Sequence, residues 1–161
     1  MNKVALSLGA NVGDRLEYLR RAVNAMSERT GDIAARSSVY ETAPWGRVSQ
    51  PRFLNACVIL VTEMAPLEFL DESKKIEKEI GRLERARWGP REIDIDMIFY
   101  ESLIFEDKRL KIPHPLMSMR GFVLMPLAEI APDWRHPLYD RTVKELSRNV
   151  AHEDVVRITS L

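Results

Sequence analysis

Polar and apolar positions alternate between two periods along the chain. Lys3-Val4-Ala5-Leu6-Ser7-Leu8-Gly9 has the β-branched and apolar content of a short strand, ended by the turn Gly9-Ala10-Asn11-Val12-Gly13. Asp14 then stands as an N-cap with Glu17 three residues on, the spacing of a capping box. Leu16, Leu19, Val23 and Met26 follow at steps of three and four, which lays one apolar stripe on a helix stopped by Gly31. Ile33 to Thr42 is predicted as a second strand. Phe53 to Thr62 is apolar on both faces, as a central strand requires. Pro66 opens a second helix, with Leu67, Leu70, Ile76, Ile80 and Leu83 on its apolar face. Glu92 to Tyr100 reads as a further strand, with a short hairpin through Leu103–Phe105. From Lys111 the chain is a proline-punctuated tail with a helical piece near Val143–Leu146.

The order β-α-β-β-α-β fits an α+β, ferredoxin-like sandwich, an antiparallel sheet with its helices on one face and C-terminal additions. No repeat, low-complexity tract or linker divides the 161 residues, so a single domain over 1–161 is expected. Lys plus Arg and Asp plus Glu each number 24, and this balance disfavours a nucleic-acid coat. The single cysteine, Cys57, excludes an internal disulfide and lies in an apolar run as a small buried hydrophobe. That run is too short to cross a bilayer, and Met1-Asn2-Lys3-Val4 leads straight into a strand instead of a signal peptide. A cytoplasmic protein without membrane attachment is expected.

The candidate chemistry sits in Glu92-Ile93-Asp94-Ile95-Asp96-Met97-Ile98-Phe99-Tyr100. Alternation puts Ile93, Ile95, Met97 and Phe99 on the buried face. Asp94 and Asp96 then project together from the other, with Cα atoms roughly 7 Å apart. Two carboxylates so placed form either a solvated strand face or a site for a hard cation. Mg²⁺ takes one or two carboxylates plus substrate phosphates. Arg82, Arg85, Arg87 and Arg91, around Gly89-Pro90, crowd the approach to this strand. Such a cluster holds phosphate oxygens or forms an ordinary solvated basic loop.

Arg87-Trp88-Gly89-Pro90-Arg91, followed by Asp94 and Asp96, resembles the signature of 6-hydroxymethyl-7,8-dihydropterin pyrophosphokinases. Three further blocks resemble the same family: Leu6 to Asn11; Val39 to Gly46 with Gln50 to Ala56; and Ile112 to Pro115 with Arg120 to Leu127. The resemblance implies transfer of the β,γ-pyrophosphoryl group of ATP to the hydroxymethyl oxygen of the pterin, with release of AMP. It implies two Mg²⁺ held by Asp94 and Asp96, with Arg82 and Arg91 also catalytic. Glu77, Arg82, Arg87, Trp88 and Arg91 would serve ATP, His114 would touch the nucleotide, and Arg120 would close on the phosphates or the pterin. For the pterin it implies Asn55 at the hydrogen-bonding edge, Trp45 and Phe122 as stacking faces, Phe53 as a wall, and the backbone near Thr42, Ala43 and Trp45 at the rim. The partners implied are small molecules only, with no nucleic acid, and the chain acts as a monomer or weak homodimer. Read without the family, His114 is a turn residue between prolines, Asn55 a satisfied strand amide and Phe122 plain core. Lys74 stands where relatives often carry Gln, Pro115 replaces an aromatic, and Trp45 is bulkier than the usual aliphatic. Rival functions are another metal-dependent phosphotransferase or phosphohydrolase, and a non-catalytic ligand-binding module.

Overall fold

The computed structural model describes residues 1–43, 49–83, 90–151 and 154–161. The first strand, β1 (Asn2–Ala10), leads into helix α1 (Arg15–Arg29), whose Asp14 side chain accepts the Glu17 N–H at 3.3 Å. The predicted strand 33–42 is two strands, β2 (Asp32–Arg36) and β3 (Ser38–Thr42), and both pair with β4 (Phe53–Thr62). Ser37 is the break. Its N–H donates to the Cys57 carbonyl and its hydroxyl oxygen accepts the Cys57 N–H, so the ladder is kept by a side chain where the backbone turns.

Helix α2 (Pro66–Ile80) starts at the predicted proline and ends at Gly81, whose φ of 120° suits only glycine. Leu83 therefore lies beyond the helix and is exposed, not part of its apolar face. Strand β5 (Asp94–Tyr100) completes the core pattern. The expected hairpin at Leu103–Phe105 is displaced: β6 (Phe105–Glu106) pairs with β7 (Lys111–Ile112) in a small separate sheet.

Two elements were not legible in the tail, α3 (Gly121–Ile130) and the strand β8 (Val155–Ser160). The predicted helical piece is α4 (Val143–Ser147). The segment 121–130 is apolar at most positions and carries Pro126, so it shows no 3.6-residue stripe and reads as interrupted. β8 adds to β3, and the sheet runs β5-β1-β4-β3-β8 with β2 beside β4, each of these pairings antiparallel. The ferredoxin-like core is thus present, with a C-terminal layer added.

That layer changes the sheet's second face. Leu19, Val23, Met26, Phe69 and Ile76 of α1 and α2 pack on Val4, Leu6, Leu8, Ile93, Ile95 and Met97. On the opposite face Val123, Leu124 and Leu127 of α3, with Val143 and Leu146 of α4, cover Ala5, Cys57, Ile59, Ile98 and Phe99. Phe99 was expected beside Met97. The register of β5 against β1 slips there, with Ala5 opposite Phe99 but Leu6 opposite Met97, and the extra residue sends Phe99 through to the other side. Phe99 ends fully buried against Trp134 and His136.

Candidate active site

α3 covers only part of the second sheet face, and the uncovered part is a cavity of ≈240 Å³. Its floor follows from the register. Asp94 lies opposite Gly9 and Asp96 opposite Ser7 across β5 and β1, while Gly9 lies opposite Asn55 across β1 and β4. Thr42 and Ala43 at the end of β3, Phe53, Arg82, Arg91, His114, Arg120 and Phe122 complete the lining. Two strand spacings, roughly 10 Å, separate the acid pair from Asn55.

The acidic end holds three carboxylates. Glu77 is almost fully buried behind the strand; one of its oxygens accepts the Ile95 N–H at 2.8 Å and meets Arg82 Nη1 at 2.8 Å, and the other lies 3.6 Å from Lys74 Nζ. The same Arg82 Nη1 donates to Asp94 Oδ1 at 3.2 Å. Glu77 thus fixes both the guanidinium and the backbone between the two aspartates, and it does not itself line the cavity. Asp96 is half-buried and its carboxyl is pushed up to about 8, by burial first and then by the charges of Asp94 and Glu77, with Arg120 opposing. Burial and mutual repulsion thus disfavour the charged form of this pair, and positive charge nearby favours it.

His114 follows a cis Ile112–Pro113 bond. Its Nδ1 accepts the Leu116 N–H at 3.2 Å, which leaves Nε2 as the protonated nitrogen of the neutral ring. Burial, then nearby Arg120, lowers its pKa to about 4, so at neutral pH it is a donor without charge. Arg120 is buried, with its guanidinium carbon 5.5 Å from the centroid of the Phe122 ring.

At the other end Asn55 Nδ2 donates to Thr42 Oγ at 2.6 Å. Gly9 makes room for this amide, because a Cβ there would fall 2.9 Å from Asn55 Oδ1. Phe122 both lines the cavity and packs on the second core cluster, so it is wall and core at once.

Of the residues singled out in the sequence, Asp94, Asp96, Arg82, Arg91, His114, Arg120, Asn55, Phe53, Phe122, Thr42 and Ala43 meet at one cavity. Trp45, Gly46, Arg85, Arg87, Trp88 and Gly89 lie outside the described residues. Met97 points into the core with Cys57 buried on the other side of the sheet.

Three contributors were not singled out. Ser7 and Gly9 line the floor, and their small size, alternating with Leu6 and Leu8, was the available signal. Asn11 is buried and joins two segments at the rim. Its Nδ2 donates to Gln50 Oε1 and to the Pro51 carbonyl, both at 2.9 Å, and its Oδ1 accepts the Arg91 N–H at 2.8 Å. Asn11 ends the Leu6–Asn11 block, but its bonds to residues 50, 51 and 91 are too distant in sequence to be read from that block.

Paired carboxylates, guanidinium groups and a neutral imidazole around one cavity of an α+β sheet define a phosphate-transferring enzyme class. A model of the family 7,8-dihydro-6-hydroxymethylpterin-pyrophosphokinase (HPPK) matches residues 5–132. The chain belongs to this family of pyrophosphokinases.

Among its relatives, the 2-amino-4-hydroxy-6-hydroxymethyldihydropteridine pyrophosphokinase of Aquifex aeolicus is 45% identical over 145 residues, 90% of each chain. The enzyme of the same name from Methylorubrum extorquens is 46% identical over 134 residues, 83% of this chain and 85% of the relative. The fold superposes on the Plasmodium falciparum HPPK-DHPS crystallised with pteroate, at a TM-score of 0.78 and 17% identity, over 98% of this chain and 48% of that one. The chain therefore spans about half the length of that solved protein.

Proposed function

We propose that this cavity transfers the β,γ-pyrophosphoryl group of ATP to the hydroxymethyl oxygen of 6-hydroxymethyl-7,8-dihydropterin, releasing AMP, as a step of folate biosynthesis. The observation that carries it is the convergence of Asp94 and Asp96 with Arg82, Arg91, Arg120 and His114 on the same cavity as Asn55, Thr42, Phe53 and Phe122. The span of roughly 10 Å between acid pair and amide leaves room for one bicyclic ring, with its hydroxymethyl arm directed at the acidic end.

Among the described residues, Asp94 and Asp96 are the two carboxylates that line the cavity, and they are assigned as the protein ligands. That fits Mg²⁺, which takes one or two carboxylates and completes its shell with phosphate and water. Asp94 and Asp96 would hold two such ions, and when bound these supply charge neutralisation along the triphosphate. Arg82 and Arg91 take phosphate oxygens, and Arg82 arrives pre-oriented because Glu77 and Asp94 hold it. Glu77 serves the nucleotide through Arg82 and not by touch. Neutral His114 donates from Nε2 without adding a charge, and Arg120 adds positive charge beside Asp96. Arg87 and Trp88 are assigned to ATP on the family resemblance alone.

Asn55 is pre-set for the pterin edge by its bond to Thr42, which leaves Oδ1 and one N–H for the ligand. Phe122 and Phe53 supply apolar walls, with Trp45 as the further stacking face. Residues 1–161 are taken to act as one domain, as a monomer or weak homodimer. ATP as donor makes the cytoplasm the compartment in which it works.

The direct test is a product assay with Mg²⁺, ATP and the hydroxymethyl-dihydropterin. AMP and pterin diphosphate should form one to one. Formation of ADP, or nucleotide turnover indifferent to the pterin, would overturn the assignment.

A further inference from the structure

Outside the cavity, α3 is fastened to the sheet at its far end by one side chain. Glu129 receives two hydrogen bonds from Ser38, the first residue of β3: the backbone N–H donates to one carboxylate oxygen at 2.5 Å and the hydroxyl to the other at 2.7 Å. Tyr40 lies next along the same strand face and its hydroxyl meets the same carboxylate. Burial, then Glu129, raises the phenol's pKa, with Arg157 opposing.

Glu129 and Phe122 are seven positions apart on α3, about two full turns, so they share one face of the helix. Ser38 and Thr42 are four positions apart on β3 and likewise share a face. The two spans are similar, roughly 10 Å along the helix and roughly 13 Å along the strand. α3 therefore lies antiparallel to β3, with Glu129 over Ser38 at one end and Phe122 across the cavity from Thr42 and Asn55 at the other. In the proposed site, the separation of Phe122 (the stacking face) from Asn55 (the edge partner) sets how the flat ring is seated.

We propose that Glu129 is a positioning residue for the pterin: its bidentate hold on Ser38 seats α3 on the sheet and so sets the gap between Phe122 and Asn55. This rests on the placement of the pterin between those two residues. The nucleotide end draws mainly on β5, α2 and Arg91, which Glu129 does not touch, and otherwise on Arg120 at the start of α3, so the effect is larger for the pterin than for ATP.

Steady-state kinetics of Glu129→Ala, Glu129→Gln, Ser38→Ala and Phe122→Ala test it. Glu129→Ala should raise KM for the dihydropterin about tenfold, with kcat and the KM for ATP within about twofold of the parent. Glu129→Gln keeps an acceptor for the Ser38 N–H and a partner for its hydroxyl, and should recover most of the loss. A fall in melting temperature with pterin KM unchanged, or equal rises in both KM values, would overturn the proposal. If Glu129→Ala does not fold, Ser38→Ala decides, since it deletes only the hydroxyl donor. A rise of about threefold in pterin KM supports the clamp, and no rise overturns it. Phe122→Ala separates the two failures. If it leaves pterin KM unchanged, the pterin placement itself is wrong. If it raises pterin KM while Glu129→Ala does not, the placement stands and the clamp falls.

Discussion

Asp96 carries a cost that burial and its acidic neighbours impose, and a cation held there as proposed would offset it. In the folded chain its carboxyl holds a proton up to about 8, whereas the unfolded chain releases it in the ordinary carboxylate range. As pH rises between those limits the unfolded state loses the proton first, so metal-free stability declines across that window. Asp96→Asn cannot titrate. It should melt higher than the parent at pH 8 without metal, by about 5 °C, with the gap closing towards pH 4. Turnover should move the opposite way, with Asp94→Asn and Asp96→Asn each losing at least about 100-fold in kcat. Calorimetry at two pH values and the AMP assay check both halves. A second residue prediction concerns Gly9. Gly9→Ala should push the Asn55 amide off Thr42 and raise KM for the dihydropterin more than for ATP. Equal effects on the two substrates would mean that Asn55 faces neither selectively.

At the scale of elements, the second face of the sheet is shared between packing and chemistry. Alternation turns Ile98 towards α3 and the slip between β5 and β1 adds Phe99, while Asp94 and Asp96, on the same strand face as Ile98, stay uncovered at the other end. α3 thereby closes the core with Val123, Leu124 and Leu127 and gives Phe122 to the cavity. Leu124→Ala, in the middle of that contact, should destabilise by about 2–5 kcal/mol by leaving a void. Denaturant unfolding measures this. Activity per folded molecule should fall through the pterin KM, because loosening α3 moves Phe122 before it disturbs Arg82. Helices α1 and α2 were legible because each presents a single apolar stripe to one sheet face. α3 was not, since a helix buried on nearly every side has no stripe to show.

For the whole molecule, the cavity draws on β1, β3, β4, β5, α3 and the segments joining them, so its assembly coincides with folding of the sheet. Mg²⁺ with an unreactive ATP analogue should therefore raise the melting temperature of the entire chain in one transition, by mass action on the folded state. Two separate transitions would argue against one cooperative domain. A chelator should abolish turnover and leave unfolding cooperative, because the core packs without the ion.

Alternation within 93–97 placed the two aspartates on one face, and the arginines before them were consistent with a phosphate site. Both depend on neighbours a few residues apart, and local periodicity reports those. The partners that complete the site come from far along the chain: Ser7 and Gly9 opposite the acids, Asn55 beyond them, His114 and Arg120 over the top. Sheet register and the seating of α3 bring these together, and neither is written in any single window of sequence. The slip that turns Phe99 through the sheet shows the same limit, for strict alternation predicts the wrong face once one residue is left unpaired. Local chemistry was thus determined by the sequence near Asp94. What surrounds that chemistry, and how it is charged, was decided by long-range pairing and burial.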